Sequence, residues 1–162
     1  MKLDDVTLAR AIHVIGVVFW IGGVAMVTTV LLPAVRRLKS AQERIKFFEE
    51  VEGRFAWQAR FTTLITGLSG LYMLYSMDAW SYYRSSEYWW VSAMTALWGL
   101  FTLMLFVIEP LFLRKWFTRR AKSDPEGTFT IIQFMHIFLL ILSLIVIFGA
   151  VTGAHGALFF DN

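Results

Sequence analysis

Four long apolar stretches separated by short charged segments organise the chain, at about 8–33, 57–77, 88–113 and 128–158. At ~1.5 Å of helical rise per residue, each is long enough to cross roughly 30 Å of hydrocarbon. Lipid offers the backbone no hydrogen-bonding partner, so stretches of this length must be helices. The ten-residue alternation of barrel strands is absent. The pattern predicts an all-α, integral membrane four-helix bundle that uses residues 1–162 as a single domain. Residues 41–52 mix Glu43, Glu49, Glu50 and Glu52 with Arg44 and Lys46. They read as a solvated elbow, although Ile45, Phe47, Phe48 and Val51 also suit an amphipathic extension of the second helix.

Charge sets the expected orientation. Twelve of the fifteen Lys and Arg residues fall within 36–60 and 114–122, the two connections on one side. By the positive-inside rule that side is cytoplasmic, so both termini face outward, toward a bacterial periplasm. The formal charge of +3 therefore reports topology and not nucleic-acid binding. Hydrophobic residues make up 57% of the chain and mean hydropathy is +0.60, as expected where lipid is the solvent. The first apolar run is too long for a cleavable signal and lacks a small-residue cleavage site, so it is read as the first span. The outward loop 78–87 and the residues after it carry Trp80, Tyr82, Tyr83, Tyr88, Trp89 and Trp90, an interfacial aromatic belt.

With no cysteine, thiolate metal sites, iron–sulfur clusters and covalent heme attachment are excluded. Histidine and methionine remain. His13 on helix one, Met94 on helix three and His155 on helix four fall in one outward layer, to which helix two adds Met73. His136 precedes His155 by 19 residues, about 28 Å deeper at helical rise, and cannot share their metal. An imidazole in a membrane helix needs a partner, which makes His13 the first candidate. Gly16 and Trp20 follow it at i+3 and i+7, so a flat macrocycle could approach that face, with Arg10 one turn outward beside a propionate. Gly149, Gly153 and Gly156 thin helix four near His155, for a cofactor or for close packing. Heme iron takes His/His or His/Met pairs and Cu(I) takes His and Met, so the layer suits heme b or copper. At the inner end Arg60, Glu109 and His136, with Gln133 beside it, are expected to meet as a structural clamp or as the mouth of a proton path, and His136 is also a candidate to hold a second cofactor.

The stretch His13-Val-Ile-Gly-Val-Val-Phe-Trp20-Ile-Gly22-Gly23, followed by Leu31-Leu-Pro33-Ala-Val-Arg36-Arg37, resembles the first helix of CopD-like copper-resistance membrane proteins and of HemJ-type heme-b proteins. Thr66-Gly67-Leu-Ser-Gly70-Leu-Tyr72 and Trp89-Trp90-Val-Ser-Ala-Met94 extend the likeness. The resemblance implies an inner-membrane four-helix bundle holding b-type heme on His13, or copper handling by the same outward residues. HemJ-type enzymes carry Trp-x-His-x-Lys in helix three, where this chain has Trp90, Ser92 and Met94, so the likeness does not extend to protoporphyrinogen oxidation. The function expected from residues and resemblance together is cytochrome-b-like electron transfer near the periplasmic leaflet. Its expected partners are the bilayer, a quinol or periplasmic redox protein, and further copies of the chain, without nucleic acid. A purely structural subunit is the remaining alternative.

Overall fold

The computed structural model describes residues 4–156, and among them every regular element is helical. The first rod is α1 (Asp5–Met26), a wide turn at Val27–Leu31 and α2 (Leu32–Arg36). The second is α3 (Ala41–Ser76). Short 3₁₀ turns lead to the third, built from α4 (Trp89–Leu103), a wide-turned stretch Met104–Leu113 and α5 (Arg114–Ser123). The fourth is α6 (Pro125–Ala154). Three of the rods, Asp5–Arg36, Ser86–Ser123 and Pro125–Ala154, are long and apolar enough to cross a membrane. The end of the fourth expected span, at 157–158, lies outside the described residues.

The first, second and fourth rods begin where the sequence supplies a side-chain acceptor for the first amides. Asp4 Oδ1 accepts from Thr7 N at 2.6 Å, Ser40 Oγ from Glu43 N at 3.4 Å, and Asp124 Oδ1 from Gly127 N at 2.9 Å with Pro125 at the first helical position. Contacts fix alternating directions. His13 meets Thr66 and Gly23 meets Phe55, Thr63 meets Trp98 and Arg60 meets Leu105, and Trp90 meets Gly153 while Leu97 and Leu139 share one cluster. The start of α1 and the end of α6 therefore lie at one end of the rods, and the basic turns lie at the other.

The polarity pattern is that of a protein solvated by lipid. Val18 and Phe134 are 62% and 70% exposed, while Thr63 and Ser143 are fully buried. Water would drive the opposite arrangement. Ser143 is satisfied within its own helix by Leu139 O at 2.7 Å. Two apolar clusters hold the rods together. One, near the basic turns, centres on Leu32, Val35, Phe48, Phe117 and Phe129, and the other, in mid-bundle, on Trp20, Val24, Leu97 and Phe101.

The elbow expected at 41–52 is not one. Those residues are the opening turns of α3, and Phe48 is 5% exposed with its ring centroid 5.3 Å from that of Phe117 and 5.5 Å from that of Phe129. Burying a phenylalanine stabilises by roughly 1.5–3 kcal/mol, enough to hold a charged segment helical along one face.

Both wide turns have the same cause. In Val27–Leu31 and Met104–Leu113 the amide bonds reach five residues back, as Leu32 N–H does to Val27 O and Arg114 N–H to Glu109 O. Pro33 and Pro110 lack the N–H that would serve the carbonyls of Thr28 and Leu105, five residues earlier. Neighbouring rods fill both vacancies. Gln133 Nε2 donates to Thr28 O at 2.9 Å, and Arg60 Nε donates to Leu105 O at 2.9 Å. Each proline thus becomes a joint between helices, because an orphaned carbonyl in lipid costs several kcal/mol.

At Gly16 α1 lies close against α3. A Cβ placed there would overlap Thr66 Oγ1, which is fixed by its bond to Thr62 O at 2.8 Å. Gly22, also on α1, has open space around it. Gly16→Ala is expected to destabilise by about 1–3 kcal/mol, as overpacking does, whereas Gly22→Ala should be neutral or mildly stabilising. Thermal unfolding in detergent compares them; equal midpoints would show that α1 and α3 are not packed at Gly16.

Candidate functional site

His13 sits half-buried on α1 against α3. Its Nδ1 lies 2.9 Å from Thr66 O and 3.3 Å from Ser69 Oγ. A carbonyl oxygen can only accept, so Nδ1 carries the proton and Nε2 keeps its lone pair. Gly70 permits this seat, since a Cβ there would come 3.2 Å from His13 Cε1. An imidazole whose Nδ1–H is anchored on a backbone carbonyl, with Nε2 bare, has the orientation and tautomer that metal-ligating histidines adopt.

The other residues expected in the layer of His13 have separate settings. His155 caps the end of α6, exposed, with Nδ1 donating to Val151 O at 2.7 Å. Met94 packs on the cluster around Trp20 and Leu97. Trp20 is 3% exposed, edge-on to Phe101 at 4.9 Å. Arg10 is exposed. The open face expected at Gly16 and Trp20 for a flat macrocycle is filled by protein: Thr66 covers Gly16 and Phe101 covers Trp20. The glycines of α6 are spent similarly, Gly149 under the Trp89 ring and Gly153 under that of Trp90, while Gly156 takes a φ of +87° where the helix ends. Among the described residues no three His, Asp or Glu side chains are grouped to hold a metal ion.

At the end of the basic turns, Arg60 and Glu109 of the expected trio meet, while His136 makes no bond to either. Arg60 Nη2 pairs with Glu109 Oε2, and Arg114 Nε donates to Glu109 Oε1 at 2.9 Å. Both carboxylate oxygens of Glu109, 6% exposed, are thereby satisfied. Gln133 is committed to Thr28 O, and His136 bonds through Nδ1 to Ile132 O of its own helix at 2.9 Å. His136 and Glu109 nevertheless share the wall of a cavity of about 640 Å³, with Glu52 opposite on α3.

Glu52 is the residue that sequence reasoning missed. It lies in the extension of α3 before the stretch 57–77, where burial, reinforced by the charge of Glu109, pushes its carboxyl up to about 7. A carboxyl that holds its proton more tightly when folded stabilises below its ordinary value of 4.5, and that contribution is lost as pH rises through about 7. Glu52→Gln, which has no proton to lose, should therefore gain on the wild type by on the order of 1–3 kcal/mol above neutrality and match it near pH ~5. Thermal midpoints at the two pH values measure this; an unchanged gap would mean that Glu52 is solvated. A signal existed in the sequence: Phe48, Glu52, Ala56, Ala59, Thr63, Thr66 and Gly70 recur at three- and four-residue steps, one helical stripe running into the His13 seat.

No protein-family model, curated protein or solved structure matches this chain.

Proposed function

We propose that the chain is a four-span protein of the bacterial inner membrane that holds b-type heme through His13 Nε2 and passes electrons between a quinol and a partner on the side of the termini. The carrying observation is the Thr66 carbonyl, which pins the proton on Nδ1 and leaves Nε2 as a ligand. Residues 57–76 of α3 complete the fourth crossing: about twenty residues reach roughly 30 Å, and Phe61, Leu64, Leu68 and Leu71 point an apolar face outward. The basic turns at one end support a cytoplasmic placement of that end.

Bound, the heme would supply a one-electron couple, and this chain's part is to orient the ligand. Ser69 and Gly70 frame His13 so that its ring cannot turn without losing the Thr66 bond. His155, whose Nδ1 is also anchored on a carbonyl, stands at the same end and would be the second residue to hold the heme in this reading. His136 stands at the other end of the rods and takes no part. Met94 is engaged in the apolar core, which favours heme over a His/Met copper site.

The reduced-minus-oxidised visible spectrum of detergent-purified protein, with metal analysis, tests the proposal. A b-type spectrum with about one heme per chain is expected. Colourless protein from heme-replete cells sinks the heme reading, and stoichiometric copper in that sample would establish the copper alternative.

A further inference from the structure

The outer face of the third rod carries an open furrow of about 640 Å³. Steps of four residues build its two ridges, Leu111, Lys115 and Arg119 along one and Phe112, Trp116 and Arg120 along the other, and Ser123 closes its far end. Buried residues fix which way this face points. Phe117 and Ala121 pack into the apolar cluster near the basic turns, and Arg119, two positions from each, lies about 200° round the helix from them and is exposed, as Lys115 is.

The furrow is graded along its length. Leu111 and Phe112, 56% and 64% exposed, end the apolar stretch 88–113, Lys115 and Trp116 come one turn later, and Arg119 and Arg120 one turn beyond them. From Lys115 to Arg120 the helix rises about 7.5 Å, close to the depth of roughly 5–7 Å that headgroups add on each side of the hydrocarbon. Among the described residues three cations and no acid line the furrow. Arg120 is partly engaged, with Asp124 Oδ2 3.6 Å from its Nη2 and the Trp116 ring centroid 5.9 Å from its Cζ. Lys115 and Arg119 make no side-chain hydrogen bond or ion pair among the described residues, whereas Arg114 turns to Glu109. Like charges four residues apart on a helix repel, so an anion between Lys115 and Arg119 removes a cost that the chain itself leaves standing. Leu111 and Phe112 select the source of that anion. They set the near half of the furrow in the acyl-chain layer, so the anion that fits both halves is the head of a lipid.

We infer that this furrow binds one anionic phospholipid, its phosphate among Lys115, Arg119 and Arg120 and an acyl chain along Leu111 and Phe112. The site rests on the third rod crossing a membrane and is independent of the heme reading.

Native mass spectrometry of the detergent-purified full chain, titrated with dioleoyl phosphatidylglycerol, counts the lipids bound. Saturation at one lipid is expected, at least about tenfold tighter than for dioleoyl phosphatidylcholine, since each cation near an anionic headgroup contributes about fivefold in affinity. Lys115→Gln with Arg119→Gln should weaken that binding by at least about tenfold, and the fold should persist because both side chains are exposed. Arg37→Gln with Lys39→Gln removes the same charge from exposed positions of the other basic turn and should leave the affinity unchanged. Equal weakening by the two pairs would mean a diffuse field and no site. Equal binding of the two lipids, or binding of glycerophosphoglycerol, the headgroup without chains, as tightly as the intact lipid, would likewise overturn the proposal. The visible spectrum of each sample reports the heme separately.

Discussion

On the proposed heme reading, wild-type protein purifies with a b-type spectrum, His13→Ala is expected to lack it, and His13→Asn is expected to lack it while staying nearly as stable. The two variants separate ligation from packing. Alanine removes both ring nitrogens, so Thr66 O loses the His13 donor and keeps only that of Ser69 Oγ at 3.1 Å, and a small void opens beside Gly70. That should cost about 1–2 kcal/mol in addition to the cofactor. Asparagine can place its amide N–H near the Nδ1 position and donate to Thr66 O, yet it offers iron no imidazole. Its thermal midpoint without cofactor should lie close to that of wild-type apoprotein. A b-type spectrum surviving in His13→Asn would show that the ring is a packing element and that the heme ligand lies elsewhere.

Arg60→Met should be among the most damaging single changes in the chain, costing about 3 kcal/mol. The guanidinium does two things in one place: it pairs with Glu109, whose side chain is 8% exposed, and it serves the Leu105 carbonyl that Pro110 leaves without an amide. Removing it strands a buried carboxylate with only the half-solvated Arg114 and strands a carbonyl in an apolar setting. Glu109→Gln alone should cost less, since Arg60 keeps Leu105 and Arg114 can turn to solvent. The double variant Arg60→Met with Glu109→Met should recover part of the loss, because the stranded charge is gone. Equilibrium unfolding in mixed detergent provides the comparison. Strictly additive losses would show that the pair is not coupled across α3 and the Met104–Leu113 stretch.

The two proline joints explain why some polar residues tolerate a lipid-facing bundle. Gln133 and Arg60 would be expensive in hydrocarbon on their own, but each meets a carbonyl that would otherwise be equally unsatisfied. The bends and the polar side chains are therefore a single feature. Neither survives the loss of the other without cost.

Legibility in the sequence divides along a physical line. The helical class, the three rods long and apolar enough to cross a membrane, and the common end shared by the segment starting at Asp4 and the end of α6 follow from runs of apolar residues and from the spacing of basic ones. Those are one-dimensional properties, because lipid solvation and backbone satisfaction act on each segment by itself. The Arg60–Glu109 pair was legible for a related reason: opposite charges at equal depth on neighbouring spans have few other places to go. What the rods present to one another was not legible. Whether Gly16 opens toward a cofactor or toward Thr66, whether Gly149 and Gly153 admit a ligand or the rings of Trp89 and Trp90, and whether residues 41–52 bend or continue α3 depend on which face meets which neighbour. Helical periodicity names a face without naming its partner. The tautomer of His13, the placing of Glu52 beside Glu109 and the rescue of the Thr28 and Leu105 carbonyls were likewise decided only by tertiary structure, since each is a property of two helices in contact.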